Sequence, residues 1–213
     1  MVEQTRKLLT ALQREVLIGI LLGDANLQTE NQGKTYRLRV SQSEKHKLYV
    51  FHLYQIFKEL TDSEPIEYSF SDSRNPGKVS KRWSFSTVQL SSLRFYGQQF
   101  YGPNGKKLPR LIHRWLMPRS IAYWYMDDGA QKWKGRSLAV RFCTDNFTRS
   151  EVQTLSKLLE RSYSLKTSIQ KQRNQFRIYV SSDSFFQLKT LIYPYLHPSM
   201  LFKFPEGDHS LPV

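Results

Sequence analysis

The chain runs through one succession of patterns twice, and that duplication limits its possible folds more than any other feature. In the first pass Thr10 and Gln13 make a capping box that opens a helix running through the apolar stretch Val16 to Leu22 to about Ala25. The period then changes to two: Tyr36, Leu38 and Val40 alternate with Arg37, Arg39 and Ser41, the pattern of a strand with one polar face. A helix over about Glu44 to Leu60 follows. Ile66, Tyr68 and Phe70 then alternate with Glu67, Ser69 and Ser71, and after a turn at Asn75, Pro76 and Gly77 a further strand sets Arg82, Ser84 and Ser86 opposite Trp83 and Phe85. Another helical stretch, about Val88 to Tyr101, closes the pass. The second begins with Pro118, well placed in the first turn of a helix through IAYWYMDD to Gly129. Leu138, Val140 and Phe142 mark a strand, Glu151 to Tyr163 a helix, and Lys166, Ser168, Gln170 and Gln172, then Arg177 and Ser181, two more strand faces. Even the ends echo each other, GKKLP closing at Pro109 and LFKFP at Pro205.

Two units of strands backed by helices imply an α+β fold with two pseudo-symmetric halves, residues 1–109 and 110–213. The capped helices are the expected meeting surface. Gly19 and Gly23 lie four apart on one face of the first of them, where each costs about 1 kcal/mol against Ala unless a neighbouring backbone comes close. A hydrophobic content of 39% in 213 residues is enough for a real core. The formal charge of +14, with a pI near 9.9, calls for a polyanionic partner. Basic residues are spread through structured segments, which favours nucleic acid over a membrane surface, and the seven-residue run Val16 to Leu22 falls far short of the roughly 20 that a spanning helix needs. The N-terminus reads as a capped, charged segment with no export signal. Cys143 is the single cysteine, so an internal disulfide and a cysteine-based zinc cluster are both excluded and a reducing interior is the natural setting.

Asp24 and Asp128 stand at the C-terminal ends of the two repeated helices, where the helix dipole disfavours an acid by roughly 0.3 to 1 kcal/mol. Either alone reads as a helix-ending residue. At matching repeat positions, on helices that pack side by side, they share one crevice, and two close carboxylates are stable chiefly when a cation joins them. Oxygen ligation selects Mg²⁺ or a similar hard ion. Such an ion beside a basic, strand-lined surface points to phosphodiester hydrolysis, in which Lys107 and Lys203 would stabilise charge or handle the proton of the attacking water.

LIGILLGDA (Leu17 to Ala25) and IAYWYMDDG (Ile121 to Gly129) both resemble the LAGLIDADG motif of homing endonucleases, and the order of elements is similar to the double-motif, single-chain branch over about residues 8 to 205. The resemblance implies αββαββα halves with antiparallel four-stranded sheets forming a saddle over DNA, and motif helices at the interface, here with Gly19, Gly23 and Ala122. It places the metal-binding carboxylate of each half on Asp24 and Asp128, adds the backbone carbonyls of Ala25 and Gly129 as ligands, leaves Asp127 at the seventh motif position as the less favoured acid, and matches the active-site lysines to Lys107 and Lys203. It implies Mg²⁺ as cofactor, with Mn²⁺ or Ca²⁺ able to substitute for binding, and a monomer that makes a double-strand break across the minor groove of a long nonpalindromic site with short 3′ overhangs. Leu22 and Met126 depart from the motif at position six, and Tyr123 stands where the first motif has Gly19, so the interface and the two active sites are expected to be unequal.

The polar strand faces supply Arg37, Arg39, Ser41, Ser69, Ser71, Arg82, Ser84 and Ser86 in the first half and Arg141, Lys166, Ser168, Gln170, Gln172 and Arg177 in the second as candidate DNA contacts, a vocabulary suited to guanine and adenine edges and to phosphate. Tyr36, Tyr68, Trp83, Phe85 and Phe142 fall on the apolar phase and read as core. The histidines lack paired ligand spacing, and His113 and His197 have no assigned role. Two alternatives stay open on the same scaffold: an intron RNA maturase, whose partner is its own intron RNA, and a non-catalytic DNA-binding regulator. The family's association with organelle introns implies a mitochondrial or chloroplast setting.

Overall fold

The computed structural model of the protein describes residues 7–71 and 79–205. The expected turn at Asn75 to Gly77 and the tail from Glu206 lie outside the described residues. The first repeat comprises α1 (Ala11–Leu22), β1 (Asn26–Gln28), β2 (Arg37–Ser43), α2 (Lys47–Phe57), β3 (Ile66–Ser71), β4 (Val79–Ser86) and α3 (Arg94–Phe100). A short hairpin, β5 (Tyr101–Gly102) and β6 (Gly105–Lys106), and the single turn α4 (Ile112–Trp115) lead into the second: α5 (Pro118–Asp128), β7 (Gly129–Gln131), β8 (Val140–Cys143), α6 (Arg149–Tyr163), β9 (Thr167–Gln172), β10 (Gln175–Val180) and α7 (Phe185–Ile192). A 3-10 segment, Pro198–Lys203, follows.

Local chemistry sets the helix starts. The Thr10 hydroxyl accepts from the Gln13 backbone while the Gln13 side chain accepts from the Thr10 N–H, and Thr148 and Glu151 make the same reciprocal cap on α6. Pro118 fills the first position of α5, where its missing N–H costs nothing. The strands assemble into two four-stranded antiparallel sheets of identical topology, β1-β2-β4-β3 and β7-β8-β10-β9. β1 and β7 grow directly out of the ends of α1 and α5; at three residues each they are too short to show a period in sequence.

Helices cover one face of each sheet. On the first, Phe51 of α2 meets Trp83 with ring centroids 5.3 Å apart and Tyr54 meets Phe85 at 5.9 Å; on the second, α6 lies against β9 and β10. The two halves join along α1 and α5. A Cβ at Gly19 would stand 2.4 Å from the Ser120 carbonyl oxygen and 2.7 Å from the Tyr123 Cβ, and one at Gly23 would stand 2.4 Å from the Asp127 Cβ. The backbones approach so closely that only glycine fits. Residues Val16 to Leu22 are consequently buried all round, one side by α5 and the others by their own half. On α5 the row facing these glycines is Ser120, Tyr123 and Asp127; Ala122 is fully buried one residue off that row. Tyr123 is accommodated because its ring leaves the seam sideways, its hydroxyl 2.7 Å from Nε2 of His52 on α2.

Candidate active site and nucleic-acid interface

The ends of α1 and α5 bring three acids and two lysines together. Asp128 is the last residue of α5, and Asp24 follows the C-terminal cap of α1. Asp127 points into the seam against Gly23: its Oδ2 accepts the Asp24 backbone N–H at 3.1 Å and its Oδ1 lies 3.4 Å from Nε2 of Gln42, which also donates to Asp24 Oδ2 at 2.9 Å. Asp24 is thereby held at both its backbone and its carboxylate. Gln42 occupies the buried phase of β2, after Leu38 and Val40, and is 9% exposed. A polar residue on the apolar phase of a strand is the signal by which it is legible. Its counterpart across the repeat, Thr144, is buried and spends its hydroxyl on the Phe176 carbonyl.

Lys203 donates to the carbonyls of Met126 and Asp127, both at 2.6 Å, and so caps the C-terminus of α5. The matching role at α1 belongs to Lys106, whose ammonium donates to the carbonyls of Gly23 at 2.7 Å and Ala25 at 3.3 Å. Lys107, its neighbour in sequence, is exposed and lies along Gly102 on the outside of the hairpin. The echo between GKKLP and LFKFP aligns Lys107 with Lys203, but the first segment is a β-hairpin, with Lys106 paired to Tyr101, and the second a 3-10 turn, so the same spacing aims different side chains inward. The supports are built in parallel: the Tyr101 hydroxyl accepts from the Leu27 N–H at 2.9 Å, while the Tyr125 hydroxyl donates to the Lys203 carbonyl at 2.7 Å and the Gln131 amide to that of Phe204 at 2.9 Å.

The electrostatics follow from packing these charges where water is scarce. Burial, and then the neighbouring Asp24 charge, push the Asp128 carboxyl up to about 7, with Lys106 and Lys203 pulling against them. Asp127 is held well above the usual carboxylate range by burial and by Asp24 and Asp128. Burial draws the Lys106 and Lys203 ammoniums below their usual range, and the acids oppose it, Asp128 foremost at Lys106 and Asp127 at Lys203.

The strand registers show which residues share the open sheet faces. On the first sheet Arg39 pairs with Ser86, Ser41 with Ser84 and Ser43 with Arg82, while Asn26 and Gln28 of β1 stand opposite Arg39 and Arg37. Arg37, Arg39, Ser41, Arg82, Ser84 and Ser86 therefore form one surface, joined by Asn26, Gln28 and Ser43, which the alternation alone did not single out. The phase of β3 is reversed from the sequence reading. Tyr68 pairs with Arg82 and reaches the Ser41 hydroxyl at 2.8 Å, and Ile66, opposite Ser84, is 62% exposed; Ser69 and Ser71 pair with Lys81 and Val79 on the helix side. Tyr68 is a surface residue of the open face and not core. β3 is an edge strand that overhangs its helix, so its helix side is also wet, as the Lys81 to Glu67 ion pair at 2.9 Å shows, and apolar alternation loses its meaning there. On the second sheet Arg141, Ser168, Gln170, Gln172 and Arg177 do share a face, together with Tyr179 and Gln175. Lys166, just before β9, pairs with Asp183 at 3.2 Å, and Asp145 holds the Arg177 guanidinium by two contacts at 3.2 and 3.1 Å. Tyr36, Trp83, Phe85 and Phe142 pack with the core. His113 is exposed, its Nδ1 3.2 Å from the Arg110 carbonyl; the ring of His197 lies 4.4 Å from that of His52.

Fold and centre define a class: a duplicated, single-chain α+β protein built around one seam of carboxylates and lysines beneath two polar sheet faces. The profile of the LAGLIDADG DNA endonuclease family matches residues 14–188. The DNA endonuclease I-ChuI of Chlamydomonas applanata is 34% identical over 94% of this chain and 97% of its own length, and the cytochrome b mRNA maturase bI2 of Debaryomyces hansenii is 35% identical over 89% and 72%. A solved structure of the homing endonuclease I-WcaI bound to its DNA recognition sequence superposes with a TM-score of 0.87 at 26% identity, over 94% of this chain and 89% of that one. The chain belongs to the LAGLIDADG DNA endonuclease family. No described helix is long and apolar enough to cross a membrane.

Proposed function

We propose that this homing endonuclease hydrolyses one phosphodiester in each strand of a long, nonpalindromic duplex, with Asp24 and Asp128 as its metal-binding acids and Lys106 and Lys203 as its active-site lysines. The observation that carries the reading is the placing of both acids and both lysines at one end of the α1–α5 seam, between two sheets whose open faces bear arginine, serine and glutamine. The donors fit a hard divalent cation: they are oxygens only, and a cation between Asp24 and Asp128 would offset the burial and mutual repulsion that raise the Asp128 carboxyl, favouring its ionised form. Mg²⁺ is commonly held by one or two carboxylates with substrate phosphates and water, a donor set that Asp24 and Asp128 can supply. Asp24 and Asp128, with the Ala25 and Gly129 carbonyls, would hold it; once bound, it supplies an activated water and Lewis-acid stabilisation of the phosphate. Mn²⁺ or Ca²⁺ would occupy the same oxygens.

The protein's own groups do the rest. Gln42 and Asp127 fix the orientation of Asp24. The Lys106 and Lys203 ammoniums, pre-aimed by the helix-end carbonyls they cap, stabilise negative charge gathering on the phosphate and the leaving oxygen. The arginine-bearing faces position the duplex and read its bases, and short 3′ overhangs are the expected product. A single chain carries both acids, so a monomer suffices, and a mitochondrial or chloroplast setting belongs to the same proposal. Incubation with a randomised duplex library and Mg²⁺, followed by sequencing of cut ends, tests activity, site and overhang together; no cutting with any divalent metal would reject the reading. A second activity, assistance to splicing of its own intron RNA, is favoured by the maturase relative, and preferential binding of a folded intron over duplex DNA would identify it.

A further inference from the structure

The end of the α1–α5 seam remote from the carboxylates carries a surface that neither the acids nor the sheets use. α1 has 12 residues, roughly 18 Å at 1.5 Å per residue, so its first turn is separated by about that length from Asp24. From that turn a cleft of about 270 Å³ runs along α1 as far as Ile18, lined also by Tyr96, Trp115 and Met117, with Arg14 and Arg114. Phe95 beside it is 48% exposed and meets Tyr96 and Trp115 edge-on, each with ring centroids 5.6 Å apart, while Tyr96 and Trp115 touch at 5.9 Å. The three rings form one cluster with an open ring at the solvent. Arg14 and Arg114 are exposed and make no ion pair among the described residues, and the one acid of the cleft, Glu15, is already held by Arg119 at 2.7 Å.

The surface is thus aromatic and cationic, with no uncompensated acid among the described residues that line it. Its cleft is smaller than the roughly 300 Å³ at which small-molecule sites begin and suits one planar ring at a time. Rings flanked by guanidiniums recognise unpaired bases by stacking and their phosphates by charge, whereas bases inside a duplex present no free face. Duplex DNA also has a place of its own, on the sheets at the other end of the helices. We infer that Phe95, Tyr96 and Trp115, with Arg14 and Arg114, form a docking site for single-stranded RNA, open while the sheets hold duplex DNA. The site rests on the splicing activity proposed above: an intron transcript offers the unpaired bases that these rings can stack on, and the duplex on the sheets does not.

The test titrates a fluorescein-labelled oligouridylate into the full chain already saturated with unlabelled duplex. Binding to the complex is expected, and Phe95→Ser and the double variant Arg14→Glu/Arg114→Glu should each weaken it by about tenfold or more, in line with the loss of one stacked base, with duplex affinity unchanged. Both variants alter exposed side chains, so folding is checked by circular dichroism with little expected change. Displacement of the oligouridylate from the wild type by duplex would overturn the inference, since the sheets would then be binding it. So would unchanged binding in both variants, or a change in self-association by sedimentation, which would assign the rings to a second copy of the chain.

Discussion

At the residue scale, the centre rests on side chains whose direction is set by elements only a few residues long. A lysine near the end of each half is legible in the sequence, but which lysine is not: the choice between Lys106 and Lys107 is made by the β5–β6 hairpin, whose two-residue strands leave no period to read. Lys106→Met is expected to slow cleavage about a hundredfold or more, as loss of one preorganised donor to a developing oxyanion does, while Lys107→Met stays within a few-fold of wild type. Single-turnover rates decide it, and equal losses in the two variants would show that the capping contacts are not what positions the functional ammonium. The histidines, unreadable in sequence, also acquire a measurable property. Burial, and then the His197 ring 4.4 Å away, lower the His52 imidazole from 6.5 to about 4. A folded-state pKa below the unfolded one makes a contribution that is complete above about 6.5 and is lost as pH falls towards 4. The thermal midpoint should therefore fall across that window, and fall less in His52→Gln, which removes the charge but keeps a partner for the Tyr123 hydroxyl. Parallel curves for the two proteins would exclude His52 as the titrating group.

At the scale of elements, signals that depend on many residues survive and those that depend on one phase do not. The capped α1, the repeated helix α5 and the glycine pair were legible because capping boxes and four-residue spacing are geometric necessities of a helix. The phase of β3 was not, because at an overhanging edge neither face is dry and the pairing with β4 decides which side chains join the open surface. Gln42 lies between these cases: it breaks an otherwise apolar phase, a visible sign whose meaning waits for the partner helix. Gly19→Ala measures how tight the seam is. On an isolated helix the change would stabilise by about 1 kcal/mol. Here the added methyl meets backbone oxygen at 2.4 Å, α5 must move, and a net loss of about 2 kcal/mol or more is expected in urea denaturation. A neutral or stabilising result would mean that α1 and α5 are free to separate.

For the whole molecule, duplication yields two acids in one chain but not two equal sites. Asp24 is held by Gln42 at 2.9 Å and through its backbone by Asp127, whereas Asp128 has no side-chain clamp among the described residues and Thr144, the counterpart of Gln42, is turned to Phe176. The seventh motif position explains why: Gly23 leaves the space that Asp127 fills, so the third acid is present once and serves one side. Preorganisation of the reacting groups lowers the barrier of the step they serve, so the strand cut through Asp24 should be nicked first. Asp24→Asn and Asp128→Asn should each abolish double-strand cutting and leave at most a nick in one strand. In the wild type, labelling the two strands separately should reveal one nicked intermediate in excess, and Gln42→Leu should reduce that excess by slowing the faster strand. Equal nicking of both strands by the wild type would show that the Gln42 and Asp127 contacts orient Asp24 without bearing on the rate, and the asymmetry of the seam would then be a matter of packing alone.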